Sequence, residues 1–194
     1  ILEEKTKNNK IIIVEFKTYM HSTVTRSIKK YAAMGVKIFA IDTFKLSSDA
    51  NPNKQAWLEM MQQMREFDDL VKPSNLNVSL ICTLQLGKDA IVNRYLSSNN
   101  LGMSKNVIDV ASVCLLIRKV HQDEYTGGKN EIKVIKCYGE STEEVDLEKD
   151  KRHSIIFIEK NRNGIAQDFQ VVAKHDFSTL RYEEIGKTYI PVGA

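Results

Sequence analysis

The sequence predicts an α/β fold: a mostly parallel central sheet flanked by helices, with an antiparallel hairpin at the C-terminal end. Three observations carry this. Short apolar runs rich in β-branched residues alternate with stretches of helical periodicity as far as Ile117. The runs are nearly continuous rather than alternating, as in strands covered on both faces. Late in the chain, Asn163-Gly164 separates two further apolar runs, which is a strong hairpin signal.

In order, Ile11-Ile12-Ile13-Val14 follows a polar stretch and reads as a first buried strand. Ser22 reads as a helix N-cap, Val24, Ile28 and Tyr31 fall at helical spacing, and Gly35 supplies the stop. Residues 36–42 form a second apolar strand that ends in Asp42. Asn51-Pro52-Asn53 opens a longer helix whose stripe is Trp57, Met60, Met61, Met64, Phe67 and Val71, closed by Pro73. A stripe of that kind is core packing. Residues 78–84 are a third strand, 97–102 a polar loop, and 113–117 a fourth strand. This order describes βαβ units. The texture then becomes charged, with Gly127-Gly128 and an acidic cluster at Glu143, Glu144, Asp146, Glu148 and Asp150. A surface excursion over about 119–153 is expected, with an edge strand at 132–136 and the cluster as a solvated face. Residues 155–158, 169–173 and 180–182 read as the closing antiparallel strands.

The 194 residues suffice for one sizeable core. With 42% hydrophobic and 27% charged residues, nine Gly and three Pro, the composition excludes a disordered or collagenous chain. No apolar run approaches the roughly 18 residues of a spanning helix, so no membrane association is expected. Lys plus Arg number 28 against 25 acids, and a net +3 neither demands nor excludes nucleic acid. Cys82, Cys114 and Cys137 are odd in number and widely spaced, the pattern of free thiols in a reducing cytoplasm. The opening Ile1-Leu2-Glu3-Glu4-Lys5 has neither Met nor a signal pattern, and reads as an internal point of a longer protein.

Four residues could carry chemistry. In an open α/β sheet, ligands bind beyond the carboxyl ends of the strands. Asp42 stands at such an end and could hold Mg²⁺ through water; it could equally cap the next segment. Gln85 follows the third strand, where an amide can hydrogen-bond a phosphate oxygen or a water without adding charge; a plain loop residue fits as well. Lys160 and Arg162 straddle Asn161 at a hairpin mouth. Positions two apart project to the same side of an extended chain. An ammonium and a planar guanidinium there could grip a phosphate held by another subunit, or simply solubilise the turn.

Absent motifs narrow the field. The phosphate-cradling G-x-x-x-x-G-K-[ST] does not occur: Gly87-Lys88 and Gly128-Lys129 lack the spacing, and Gly186-Lys187-Thr188 has Arg181 where the first glycine belongs. His21, His121, His153 and His175 show no metal-ligand spacing, and no G-x-S-x-G or triad signature appears.

Taken together, Asp42 at a strand end, Thr83-Leu84-Gln85-Leu86 at the next, Ile108-Asp109-Val110-Ala111-Ser112 and then Glu159-Lys160-Asn161-Arg162-Asn163-Gly164 form a specific order. From about Ile11 to Tyr182 it resembles the C-terminal RecA-like ATPase domain of DnaB-type replicative helicases, with Lys-Asn-Arg-Asn-Gly the most distinctive element. The resemblance implies that residues 1–194 are a partial RecA-like ATPase domain of a hexameric helicase that couples ATP hydrolysis to translocation on single-stranded DNA. By the same resemblance Asp42 matches the Walker B acid near Mg²⁺, and Gln85 the glutamine that senses the γ-phosphate. Lys160 and Arg162 match the finger pair that reaches the neighbouring subunit's nucleotide. Residues 95–106 match the loop that holds DNA, with Gly102, Ser104, Lys105 and Asn106 as its contacts.

The chain departs from the pattern at Gly102-Met103-Ser104-Lys105, where the family has an Arg-Glu-Ser-Gly-like stretch, and at Val110-Ala111-Ser112, where it has Asp-Ala-Asp. The P-loop and catalytic glutamate of the family are expected upstream of Ile1, and Glu15 is not assigned that role. Alone, this chain is expected not to hydrolyse ATP. The rival readings are another RecA-family DNA-dependent ATPase and a non-catalytic RecA-like interaction module.

Overall fold

The computed structural model describes residues 11–139 and 141–192, apart from the side chains of residues 103–105 and 138. The chain divides into two compact units, Ile1–Thr83 and Leu84–Ala194.

The first unit contains α1 (His21–Ala33), β1 (Ile38–Ile41), α2 (Ala56–Val71) and β2 (Ser79–Cys82). β1 and β2 run parallel in the register Ile38↔Ser79 to Ile41↔Cys82, with α2 in the crossover between them. α1 starts without a side-chain cap, and Ser22 instead donates its hydroxyl to Asp49 at 2.9 Å. The helix stops at Gly35 (φ +94°), where the amides of Gly35 and Val36 return to the carbonyls of Ala32 and Tyr31. That left-handed residue suits a glycine. The core is Val24, Ile28, Phe44, Met60, Met64, Phe67 and Leu70, and the Phe44 and Phe67 rings pack edge-on at 6.0 Å. Met60, Met64 and Phe67 of the expected stripe are therefore core. Asn51-Pro52-Asn53 lies ahead of α2, which starts at Ala56.

Ile11–Val14 is not a strand, and Ile13 is 61% exposed. Apolar β-branched residues make a strand only when an edge is there to pair with, and this run has no ladder partner among the described residues.

The second unit is a six-stranded sheet in the order β3-β6-β7-β8-β4-β5. The strands are β3 (Val113–Lys119), β4 (Val134–Tyr138), β5 (Ser141–Val145), β6 (His153–Asn161), β7 (Gln170–Asp176) and β8 (Arg181–Thr188). Every neighbouring pair is antiparallel. The expected mostly parallel central sheet is thus corrected: the described parallel pairing is β1 with β2, and the larger sheet is antiparallel. The reason lies between β2 and β3. Instead of a crossover α-helix the chain makes two 3₁₀ segments, Lys88–Ile91 and Ser98–Asp109, and β3 then enters antiparallel to β6. The closing hairpin forms, with β6 on β7, but its ladder ends at Phe157↔Gln170, leaving a wide loop around Asn163-Gly164.

The core of this unit is built by Leu96, Leu101, Ile108, Leu116, Val120, Tyr125, Val134, Leu147, Ile155, Phe157, Val172 and Ile190. Tyr125, Val134 and Leu147 come from the 119–153 segment, so that segment is not wholly a surface excursion: β4 and β5 extend the sheet beyond β8. The edge of the sheet there is β5, and Glu143 and Glu144 lie exposed on it. Gly186 lets β4 close on β8, since a Cβ there would meet the Ile135 carbonyl oxygen at 2.7 Å. On β3 the side chains alternate: Leu116 and Arg118 are buried, while Val113, Leu115 and Ile117 are exposed.

Candidate functional site

Asp42 directly follows β1, where pairing with the second strand continues past the ladder. The Thr83 amide donates to the Ile41 carbonyl at 3.1 Å, and the Phe44 amide to the Thr83 carbonyl at 2.9 Å. This register sets Thr83 beside Asp42. Its Oγ1 donates to Asp42 Oδ1 at 2.6 Å, and Thr43 Oγ1 donates to the same oxygen at 3.2 Å. The two hydroxyls, Thr83 foremost, hold the carboxyl below its ordinary range, because hydrogen bonds to the charged form favour it. Asp42 is therefore an exposed, ionised carboxylate at the carboxyl end of a parallel strand pair.

One carboxylate flanked by hydroxyls suits Mg²⁺, which keeps several waters and takes its remaining ligands from phosphates. It does not suit a metal held wholly by protein: among the described residues no group of three or more His, Cys, Asp or Glu could hold an ion. Gln85 is exposed near the start of the second unit, two positions past Thr83 in the chain.

Lys160 and Arg162 lie at the end of β6 and converge on one short stretch of backbone. Lys160 Nζ donates to the carbonyls of Ile108 and Asp109, both at 2.8 Å. Arg162 Nη2 donates to those of Asp109 and Val110, at 3.2 and 3.0 Å. The Arg162 amide bonds the Ser112 carbonyl at 3.0 Å. The same-side projection expected from a two-residue spacing is what brings both cations to residues 108–110.

Glu159 carries no signal of its own in the sequence. The β3–β6 register passes from Leu115↔Ile158 to Cys114↔Lys160, which leaves Glu159 as the extra residue of a β-bulge. Its Oε1 accepts the Ser98 amide at 2.7 Å. Ser98, Asn106, Ile108, Asp109, Glu159 and Lys160 line a cavity of about 290 Å³. Gly102 is exposed and carries a non-helical φ of 55° inside the 3₁₀ segment, and Asn106 is half-buried. The side chains of Ser104 and Lys105 lie outside the described residues.

Two further polar clusters have no sequence signature, because their partners are far apart in the chain or hidden by burial. Arg118 and Glu124 form a two-pronged pair inside the second unit, Nη1–Oε2 2.7 Å and Nη2–Oε1 2.8 Å, with Arg118 Nε on the Arg94 carbonyl at 2.7 Å. Arg94 Nη2 in turn meets Asp123 at 2.6 Å, and that hydrogen bond above all pulls the Asp123 carboxyl down to about 2. In the first unit, His21 Nε2 lies 2.9 Å from Glu66, and the His21 amide donates to Ser47 Oγ at 2.7 Å. Cys82, Cys114 and Cys137 are free; burial pushes the thiols of Cys82 and Cys114 up to about 11, which makes them poor nucleophiles.

Comparison with solved structures places the chain in a class: its fold is the α/β fold of helicase ATPase domains. One such structure is a DnaB-like replicative helicase described with its interactions with primase, at a TM-score of 0.59 and 17% identity, covering 85% of this chain and 36% of that one. Another is the ATPase domain of a second helicase, at 0.59 and 14% identity, covering 84% of this chain and 51% of that one. The chain thus spans between about a third and a half of these neighbours. No family profile and no curated protein matches it. No helix among the described residues is long and apolar enough to cross a membrane.

Proposed function

We propose that this chain is part of the RecA-like ATPase domain of a hexameric, cytoplasmic replicative helicase that couples ATP hydrolysis to movement along single-stranded DNA. The observation that carries this reading is Asp42, an ionised carboxylate at the carboxyl end of β1, aimed by Thr83 from the neighbouring strand end. The helicase ATPase fold supports it.

In this reading Asp42 holds hydrated Mg²⁺ through water. The ion, when bound with ATP, neutralises charge on the phosphate oxygens. Thr83 fixes the direction of the Asp42 carboxylate. The Gln85 amide hydrogen-bonds the terminal phosphate or the attacking water. Lys160 and Arg162 leave the carbonyls of residues 108–110 and reach the phosphates bound by a neighbouring protomer, where a planar fork and a point charge complement a spread anionic transition state. Gly102, Ser104, Lys105 and Asn106 meet the DNA backbone, and the added strands over about 119–153 form an insertion in the domain.

The test is ATP turnover by the full-length protein, with and without single-stranded DNA. DNA-stimulated turnover that Asp42→Asn lowers at least a hundredfold is expected. DNA-stimulated turnover that Asp42→Asn leaves intact would overturn the assignment. One observation favours a second reading, a non-catalytic RecA-like interaction module: Lys160 and Arg162 spend their donors on carbonyls of their own chain. A full-length protein without turnover would select it.

A further inference from the structure

The bulge at Glu159 has a geometric consequence. In a regular strand, consecutive side chains point to opposite faces. Here the extra residue lets Glu159 and Lys160 act on the same 12-residue segment, Ser98–Asp109, from its two ends. Glu159 accepts the amide at its start, and Lys160 binds two carbonyls at its finish. A carboxylate at the amino end and a cation at the carboxyl end both match the dipole of a helical segment. Glu159 is itself braced by Gln167, whose Nε2 donates to the Glu159 carbonyl at 3.2 Å and to Oε2 at 3.4 Å.

The segment is not one rigid rod. Gly102, with φ 55° and ψ −124°, breaks it in the middle. On one side Leu101 is buried; on the other Val107 and Ile108 are buried. Each half therefore has its own apolar anchor and its own ionic jaw, and the exposed Gly102 stands between them.

We propose that Glu159 is a positioning residue: with Lys160 it clamps the two halves of Ser98–Asp109 and so sets the placement of the Gly102 apex that meets single-stranded DNA. The DNA contact rests on the function proposed above; the clamp does not. The jaws are unequal. Lys160 is also half of the pair proposed to reach the neighbour's phosphates, whereas Glu159 has no such second duty. When Lys160 and Arg162 leave residues 108–110, the later half loses its ionic hold and the earlier half keeps it. The segment then pivots at Gly102, and phosphate engagement and DNA engagement are linked in both directions.

The experiment is amide hydrogen exchange of the full-length protein, read on peptides covering residues 96–102 and 103–111, for wild type, Glu159→Ala, Glu159→Gln and Lys160→Met. Glu159→Ala is expected to speed exchange in the first peptide by about tenfold, the scale of losing a hydrogen bond to a charged group. Glu159→Gln keeps an acceptor oxygen and is expected to restore most of the protection. Lys160→Met is expected to speed the second peptide and spare the first. Unchanged exchange at 96–102 in Glu159→Ala, or uniform acceleration of both peptides in every variant, would overturn the clamp. In parallel, binding of a fluorescein-labelled oligo-dT is expected to weaken at least fivefold in Glu159→Ala and to recover in Glu159→Gln. Wild-type oligo-dT binding that Glu159→Ala leaves unaltered would overturn the positioning role. Failure of the wild type to bind oligo-dT would instead refute the proposed function and leave the exchange result to judge the clamp.

Discussion

Thr83 Oγ1 donates to Asp42 Oδ1 at 2.6 Å across the ends of two parallel strands, although the two residues are 41 positions apart in sequence. The contact follows from the register Ile41↔Cys82 and from the Thr83 amide bonding the Ile41 carbonyl. It fixes both the direction and the ionisation of the proposed metal-facing carboxylate.

Removing that hydroxyl should be visible in the Asp42 titration. The folded-state value lies below the ordinary 3.8, with the Thr83 bond as the largest cause. Thr83→Val should therefore move the midpoint upward, toward the ordinary value, leaving only the weaker Thr43 contact. Carboxyl ¹³C chemical shifts followed against pH measure this directly; an unmoved midpoint would show that the hydroxyl does not hold the charge.

The buried pair of Arg118 and Glu124 should dominate the stability of the second unit. Glu124 is 1% exposed, and its carboxylate also accepts the His121 amide at 2.8 Å. Glu124→Ala would leave the Arg118 guanidinium buried without its counter-charge, a loss of about 3–5 kcal/mol. Replacing both partners together, as Arg118→Met with Glu124→Leu, should cost less than Glu124→Ala alone. Urea unfolding midpoints read both; equal losses would argue against an uncompensated charge as the cause.

Acid should weaken the second unit through two exposed carboxylates. Asp123 is held down to about 2 by Arg94 first and then Asn130, and Asp176 to about 2 by Ser178 and then Thr179. For a carboxylate whose folded value is depressed, the stabilising contribution is complete above the unfolded value and disappears as pH falls through the folded one. The window runs from 3.8 down to about 2. Asp123→Asn and Asp176→Asn should each flatten the decline of the denaturation midpoint within that window and leave its slope at neutral pH untouched.

These contacts show what a linear pattern conveys. Asp42 is legible because an apolar run ending in an acid is a local signal, and Lys160 with Arg162 because a two-residue spacing has a fixed geometric meaning. Thr83 is not legible as a partner, since it depends on pairing between distant segments. Glu159 is hidden for another reason: a bulge re-aims one side chain without changing the composition of the strand around it. The antiparallel sheet is hard to read because 3₁₀ segments occupy the place where a crossover helix is expected, and a short apolar run such as 113–117 suits either strand direction. Ile11–Val14 has the residues of a strand but no edge to pair with among the described residues.

Whether Asp42 and Arg162 serve one site from two protomers can be measured by mixing. The full-length Asp42→Asn and Arg162→Ala proteins are each expected to be inactive in DNA-stimulated ATP turnover. In mixed rings, an Arg162→Ala protomer keeps its Asp42 and receives an intact Arg162 from an Asp42→Asn neighbour. Turnover well above that of either variant alone is the expected outcome. A mixture that assembles and stays as inactive as its parts would mean that the two residues do not meet across a subunit boundary.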